Sequence, residues 1–296
     1  MNYYNEIKTE LINNEITKRV KDYSKNRSDL NTYYNVGKLL SEAGKHYGEG
    51  IIKEYSDRLS SELNIKYSVR TLYKIIKYFN YMNKQKVPTV SAKLSWSHYD
   101  ELLKLTDENI INYYIKISEE QNLSVRELRK KIKSNEYERL DEETKKKLKN
   151  KEELKVPDLV KNPIQIKNTS GNNEISEKIL QKLILEDISS FLKELGSGFS
   201  FIDNEYKIKM GDRYNYIDLL LYNIKYKCYV VVELKVTELN SNHTGQIQKY
   251  MNYIDKNIKS IDDNKTVGII ICKKENKYVI EYCSDDRIIS REYELV

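Results

Sequence analysis

Three ionisable side chains stand where an apolar pattern leaves little room for them. Asp218 lies inside the run Ile217-Asp218-Leu219-Leu220-Leu221-Tyr222, and Glu233 and Lys235 close the run Cys228-Tyr229-Val230-Val231-Val232-Glu233-Leu234-Lys235. Charge buried in a hydrophobic sheet is costly unless it is paired, or it shifts its pKa. Side chains alternate along a strand, so Glu233 and Lys235 share a face and Leu234 points away. With Asp218 opposite, two carboxylates and an amine converge. Two close carboxylates repel unless a divalent cation lies between them, and oxygen ligands with room for water suit Mg²⁺, which Mn²⁺ can replace, rather than zinc. A lysine beside them can offset developing negative charge or orient the attacking water. The chemistry expected of this set is metal-assisted hydrolysis of a phosphodiester.

The elements that must position these groups are legible nearby. Residues 223–227 are too short a connection for a crossover helix, so the two runs read as neighbouring strands of a hairpin. Upstream, Ile179, Leu180, Leu183, Ile184, Ile188, Phe191, Leu192 and Leu195 form one apolar stripe of a long helix ended by Gly196. Strands are expected near 199–209, 215–222, 228–236, 266–272 and 277–283, with a helix near 243–255. On that helix Gln246 and Tyr250 are spaced i and i+4, on one face.

An aspartate followed by a Glu-x-Lys at the end of a hydrophobic strand resembles the PD-(D/E)xK nuclease superfamily. The Gln246-x-x-x-Tyr250 pair resembles its RecB-like branch. Phe191-Leu192-Lys193-Glu194-Leu195-Gly196-Ser197-Gly198-Phe199, Val267 through Lys273 and Arg291-Glu292-Tyr293-Glu294-Leu295 resemble the YhcG-type proteins of the DUF1016 family. The resemblance implies a restriction-endonuclease-like α/β domain with a mixed central sheet. It also implies a further acid from the first helix, for which Glu177 is the candidate and Glu186 and Glu194 are rivals. Position 181, where relatives carry Glu, is Gln181, and the proline of the motif is replaced by Ile217. Asp218, Glu233 and the carbonyl of Leu234 are the expected metal ligands, Lys235 is expected to position the attacking water or neutralise the transition state, and Gln246 and Tyr250 to brace the site or meet the scissile backbone.

Residues 6 to about 139 have helical periodicity throughout. Helices are expected over 6–22, 28–43, 49–62, 69–83, 97–104, 107–121 and 125–136, the last opened by a Ser124/Glu127 capping box. Residues 57–82 have the outline of a helix-turn-helix, whose second helix sets Arg70, Lys74 and Lys77 on one basic face. That face suits phosphate or groove contact, and equally a solvated surface on a packed helical pair. Asn31 through Gly37, Tyr47-Gly48, Ser68 through Leu72, Leu94 through His98 and Ser124 through Leu128 resemble the DUF1016 N-terminal domain. The expected organisation is a helical, helix-turn-helix-like domain over 1–140, a charged linker over 141–172 and the nuclease domain over 173–296.

The 296 residues are 39% apolar and 32% charged, with a net charge of +6, a mild basicity compatible with a nucleic-acid partner. No apolar run is long enough to span a bilayer and no secretory leader is visible, so a cytoplasmic protein without a membrane partner is expected. Cys228, Cys272 and Cys283 lack metal-ligand spacing and read as reduced core residues in strands. Gly44-Lys45 is followed by His46 and preceded by helix, which excludes a phosphate loop. His98 reads as structural beside Trp96, and His46 and His243, placed in turns, have no nucleophile partner. The chain is therefore expected to be a Mg²⁺-dependent DNA endonuclease; a restriction, recombination or mobile-element role is what the family resemblance implies, and two-strand cleavage would favour a homodimer. The alternatives are an idle nuclease fold used for DNA binding or assembly, and an RNA nuclease using the same site.

Overall fold

Apolar residues recurring at three and four through the first half of the chain leave no period-two stretch to make a strand, and its described elements are helices. The computed structural model describes residues 3–19, 25–48, 50–85, 94–169, 175–283 and 285–296. It divides into one unit ending at Ser134 and another beginning at Asn135. The first unit consists of α1 (Tyr3–Arg19), α2 (Lys25–Tyr47), α3 (Gly50–Leu63), α4 (Val69–Gln85), α5 (Trp96–Leu102), α6 (Glu108–Gln121) and α7 (Val125–Lys133). The last residues of the helix expected over 6–22 lie outside the described residues.

Ile7, Leu11, Val36, Leu40, Ile52, Leu59, Leu72 and Ile75 form a shared core of α1 to α4. At Gly37 the backbones of α2 and α4 approach so closely that a Cβ would lie 2.6 Å from the Ile75 carbonyl oxygen. The turn between α3 and α4 is pinned by the Ser56 hydroxyl, which donates to the Tyr67 carbonyl at 2.6 Å. The Ser124/Glu127 capping box opens α7 as its sequence dictates. His98 accepts from the Ser95 N–H through Nδ1, which leaves Nε2 to donate to the Leu123 carbonyl at 2.9 Å, a structural role.

The second unit contains α8 (Glu142–Asn150), α9 (Val156–Leu159), β1 (Ile164–Ile166), α10 (Glu177–Glu186), α11 (Ile188–Leu195), β2 (Phe199–Met210), β3 (Arg213–Asn223), β4 (Cys228–Glu238), α12 (Ser241–Asn257), β5 (Asn264–Lys274), α13 (Lys277–Cys283) and β6 (Ile288–Leu295). Its six-stranded sheet has the order β1-β6-β5-β4-β3-β2. β2, β3 and β4 are antiparallel neighbours, while β4, β5, β6 and β1 run parallel. Alternation sends Val230, Val232, Leu234, Ile269 and Ile271 against Leu180, Leu183, Ile184 and Phe191 of α10 and α11. It sends Leu220, Val231 and Ile270 to the other side, against Ile247, Met251 and Ile254 of α12. The sheet is thus covered on both faces, which is why β4 and β5 read as nearly continuous apolar runs.

Three expectations are corrected. The single helix expected over the 179–195 stripe breaks at Asp187, whose side chain caps α11 by accepting from the Ser190 N–H at 3.1 Å. The strand expected at 277–283 is α13, with Asn276 Oδ1 accepting from the Val279 N–H at 3.4 Å, and Cys283 ends this helix. β5 and β6 are parallel, so the chain between them must cross over, and α13 serves that need. The stretch 141–172, read as a charged linker, supplies α8, α9 and β1, and its Val156, Val160, Ile164 and Ile166 are core residues; residues 170–174 lie outside the described residues. One of its cations, Lys161, and the cation of β6 that reaches it, Arg291, are consumed internally. Lys161 is buried within 3.7 Å of the buried Glu136, and the Arg291 guanidinium donates to the Val160 carbonyl at 2.9 Å and to Asp141 at 2.7 Å.

Candidate active site

β3 and β4 pair from Asn223·Cys228 to Leu219·Val232 and then part. The next step of that register sets Asp218 across from Glu233. Where the ladder stops, the Asp218 carboxylate takes over, Oδ2 accepting the Leu234 N–H at 2.8 Å. Leu234, whose carbonyl was the expected metal ligand, thereby gives its N–H to Asp218. Two positions along β4 from Glu233, the Lys235 amine lies 3.4 Å from Glu233 Oε2.

The first helix reaches the same place through its N-terminal turn. Ser176 caps α10, its side chain accepting from Ile179, and Glu177 at the first helical position has Oε2 3.6 Å from Lys235 Nζ. Gln181, one turn on, donates from Nε2 to the Asp218 backbone carbonyl at 3.0 Å, so the residue standing in place of an acid ties α10 to β3. The rival acids lie elsewhere: Glu186 accepts from Thr169, and Glu194 pairs with Arg139. On α12, Gln246 Nε2 donates to the Tyr250 hydroxyl at 3.1 Å, with Tyr250 buried on the side of the sheet that α12 covers.

Burial sets the electrostatics. Glu233 is only 1% exposed, and its carboxyl is pushed up to about 8, by desolvation first and by the Asp218 charge second, with Lys235 opposing both. Asp218 is raised as well, chiefly by burial and further by Glu177 and Glu205, against the Leu234 N–H and Lys235. For Lys235, burial pulls its pKa down, but Glu233, Asp218 and Glu177 together hold it above the usual value. The Tyr250 hydroxyl is raised by burial, and the charges of Glu233 and Asp218 add to the effect.

Two residues at this site were not anticipated. His243, expected in a turn, is in the first turn of α12, and its pKa is lowered by burial and then by the Lys235 charge. Its spacing of three and seven from Gln246 and Tyr250 was the available signal. Glu205 lies across β2 from Asp218 in the register and has φ +48, a left-handed conformation uncommon outside glycine. Nothing in the sequence announces that.

The donor set fits a hard divalent cation. Glu233 Oε1 is buried with no hydrogen-bond partner among the described residues, a cost that calls for a cation at that oxygen. Among the described residues no three His, Cys, Asp or Glu side chains gather into a complete metal cage. Mg²⁺ does not need one, being held through one or two carboxylates with water and substrate oxygens completing the shell.

The basic face expected on α4 is partly spent inside its own unit. Lys74 pairs with Asp100 of α5, and Lys77 donates to the Leu103 carbonyl, while Arg70 is exposed.

Residues 157–295 match the family model described as the YhcG PDDEXK nuclease domain, and residues 9–139 match the DUF1016 N-terminal domain. A curated relative, "Putative nuclease YhcG" of Escherichia coli (strain K12), is 24% identical over 219 residues, covering 70% of this chain. The chain spans 58% of that relative's length. Among solved structures, a repair endonuclease from Pyrococcus abyssi aligns over 43% of this chain and 49% of its own at 19% identity and a TM-score of 0.29. A structure described as an EndoMS-dsDNA2 complex aligns over 44% and 48% at 17% identity and a TM-score of 0.30. Scores this low add nothing to the reading of the site. The two family models between them account for most of the chain, which belongs to the YhcG-like DUF1016 family and carries a C-terminal PDDEXK nuclease domain.

Proposed function

We propose that this protein is a divalent-metal-dependent DNA endonuclease, with Mg²⁺ the working ion and Mn²⁺ a substitute. The observation that carries the reading is the buried, unpartnered Oε1 of Glu233 beside the Leu234 N–H that ties Asp218 to the same strand, with the Lys235 amine 3.4 Å from the same carboxylate. Asp218 and Glu233, with the Leu234 carbonyl, would hold the ion, which supplies a more acidic attacking water and charge compensation at the phosphate. Lys235 lies inside this acidic pocket, within 3.6 Å of both Glu233 and Glu177. Held protonated by its neighbours, it is suited to stabilise charge on the scissile phosphate. Glu177 restrains that amine from the α10 side, and Gln246 with Tyr250 forms the wall contributed by α12.

In this reading the helical N-terminal unit recognises DNA. Arg70 is its free α4 contact, and Lys74 and Lys77 must release Asp100 and the Leu103 carbonyl before they can join it. Two such sites, in a homodimer, would cut both strands of a duplex, and the protein works in the cytoplasm, without a membrane.

The test incubates purified protein with linear, supercoiled and branched DNA, and with single-stranded RNA, in Mg²⁺, Mn²⁺ or EDTA, beside Glu233→Ala and Lys235→Ala. The expected result is DNA cleavage that EDTA and both substitutions abolish. Cleavage that survives both substitutions overturns the mechanism, and cleavage of RNA alone overturns the substrate.

A further inference from the structure

β2 and β3 continue past the point where β3 leaves β4, so residues 206–210 and 213–217 form a two-stranded arm closed by a turn at Gly211 and Asp212. The two faces of this arm differ sharply. Ile208 and Ile217 are buried in the core that includes Ile247 and Tyr250 of α12. On the opposite face the register pairs Lys207 with Tyr216 and Lys209 with Tyr214, and directly paired residues project to the same side. Tyr214 is 55% and Tyr216 52% exposed, and Lys207 Nζ lies 4.0 Å from the centre of the Tyr214 ring. The result is a strip of two open aromatic rings flanked by two cations, on the strand that carries Asp218 two residues beyond Tyr216.

We propose that this strip binds a single-stranded segment of DNA beside the cut. The inference rests on the nuclease reading for what lies at the end of the strip, and on the arm itself for the rest. Alternate residues of a strand stand about 7 Å apart. That is about twice the ~3.4 Å rise per nucleotide, so the two tyrosines leave room for one base plane between or beside them. Stacking on tyrosine requires an unpaired base, because in a duplex both faces of every internal base are already covered. Lys207 and Lys209 supply the positive charge that a phosphodiester backbone follows.

The experiment measures fluorescence anisotropy of a dye-labelled single-stranded DNA, the matching duplex and the matching RNA in EDTA, where cleavage is off. It compares the wild-type chain with Tyr214→Ala/Tyr216→Ala, Tyr214→Phe/Tyr216→Phe and Lys207→Ala/Lys209→Ala. Melting curves check that these surface changes leave the fold intact. The expected result is that the alanine pair weakens single-strand binding on the order of tenfold or more and leaves duplex binding nearly unchanged. The phenylalanine pair should keep wild-type affinity, and the lysine pair should flatten the salt dependence. Undiminished single-strand binding by the alanine pair, equal loss by the phenylalanine pair, or binding of RNA alone overturns the proposal. Should metal-dependent cleavage still vanish with Glu233→Ala in any of those cases, the nuclease reading stands without the arm.

Discussion

The Leu234 N–H donates to Asp218 Oδ2 at 2.8 Å, so the acid of one strand is fixed to the backbone between the acid and the amine of its neighbour. A side chain here replaces a rung of the β ladder. That lets the strands part and open the pocket without leaving a buried donor unpaired.

The proposed mechanism adds a chemical duty to this structural one, and two substitutions at Asp218 separate them. Asp218→Ala strands the Leu234 N–H and should cost about 1–3 kcal/mol of stability. Asp218→Asn keeps an acceptor oxygen and should melt close to wild type, yet lose stabilisation by Mg²⁺ and lose cleavage. Thermal melts of both variants with and without Mg²⁺ check this; equal destabilisation by Ala and Asn would remove the structural duty.

The pH dependence follows from Glu233. In the folded, metal-free protein its carboxyl ionises near 8, against about 4.5 in the unfolded chain. Between those values the folded state holds the extra proton, so stability falls as pH rises from about 4.5 to about 8 and levels off above. Glu233→Gln should remove most of that slope. A divalent cation binds the carboxylate form, so its stabilising effect should grow with pH over the same window. Melting temperatures at pH 6 and pH 8.5, with and without Mg²⁺, give both answers.

Much of this site was legible because it violates its surroundings. Asp218, Glu233 and Lys235 stand out as charges in apolar strands, and Gln246 and Tyr250 declare themselves by helical spacing. Glu205 was hidden because a left-handed backbone at a non-glycine residue leaves no mark in the sequence. The segment around Lys161 was misread for a different reason: a lysine-rich stretch normally solvates, and only the fold reveals that Glu136 and Glu194 enclose this one. Residues 277–283 could not be separated from a strand by their short pattern. The need for a crossover between β5 and β6 becomes visible only once their parallel pairing is known.

That enclosure makes a prediction for the stretch once read as linker. Lys161→Met removes the buried amine that lies 3.7 Å from Glu136 and 3.9 Å from Glu194, and should destabilise the second unit by about 3–5 kcal/mol. Chemical denaturation of the full chain measures it, and a change below ~1 kcal/mol, the range of exposed ion pairs, would contradict the buried network.

Packing of α12 on the sheet is tight at Gly268, where a Cβ would lie 2.7 Å from Met251 Sδ and 2.9 Å from Ile247 Cδ1. Gly268→Ala should cost about 1–3 kcal/mol and push α12 outward. Because α12 carries Gln246 and Tyr250, cleavage should fall beyond what the loss of folded protein explains. Specific activity per folded molecule is the readout, and unchanged activity would detach α12 from the chemistry.

Lys235 should matter more than the acid that restrains it. Lys235→Met, losing the pocket's cation, should lower the cleavage rate on the order of 10²–10³-fold. Glu177→Gln, at the more exposed rim, should have a smaller effect. Single-turnover rates rank the two, and a larger loss for Glu177→Gln would reverse their assigned roles.

The central claim is a shared divalent ion, and a crystal of this protein soaked in Mn²⁺ tests it most directly. An anomalous difference peak within about 2.0–2.6 Å of carboxylate oxygens from both Asp218 and Glu233 is the predicted result. A well-ordered pocket in which Lys235 bridges those two carboxylates and no peak touches either one would contradict the account.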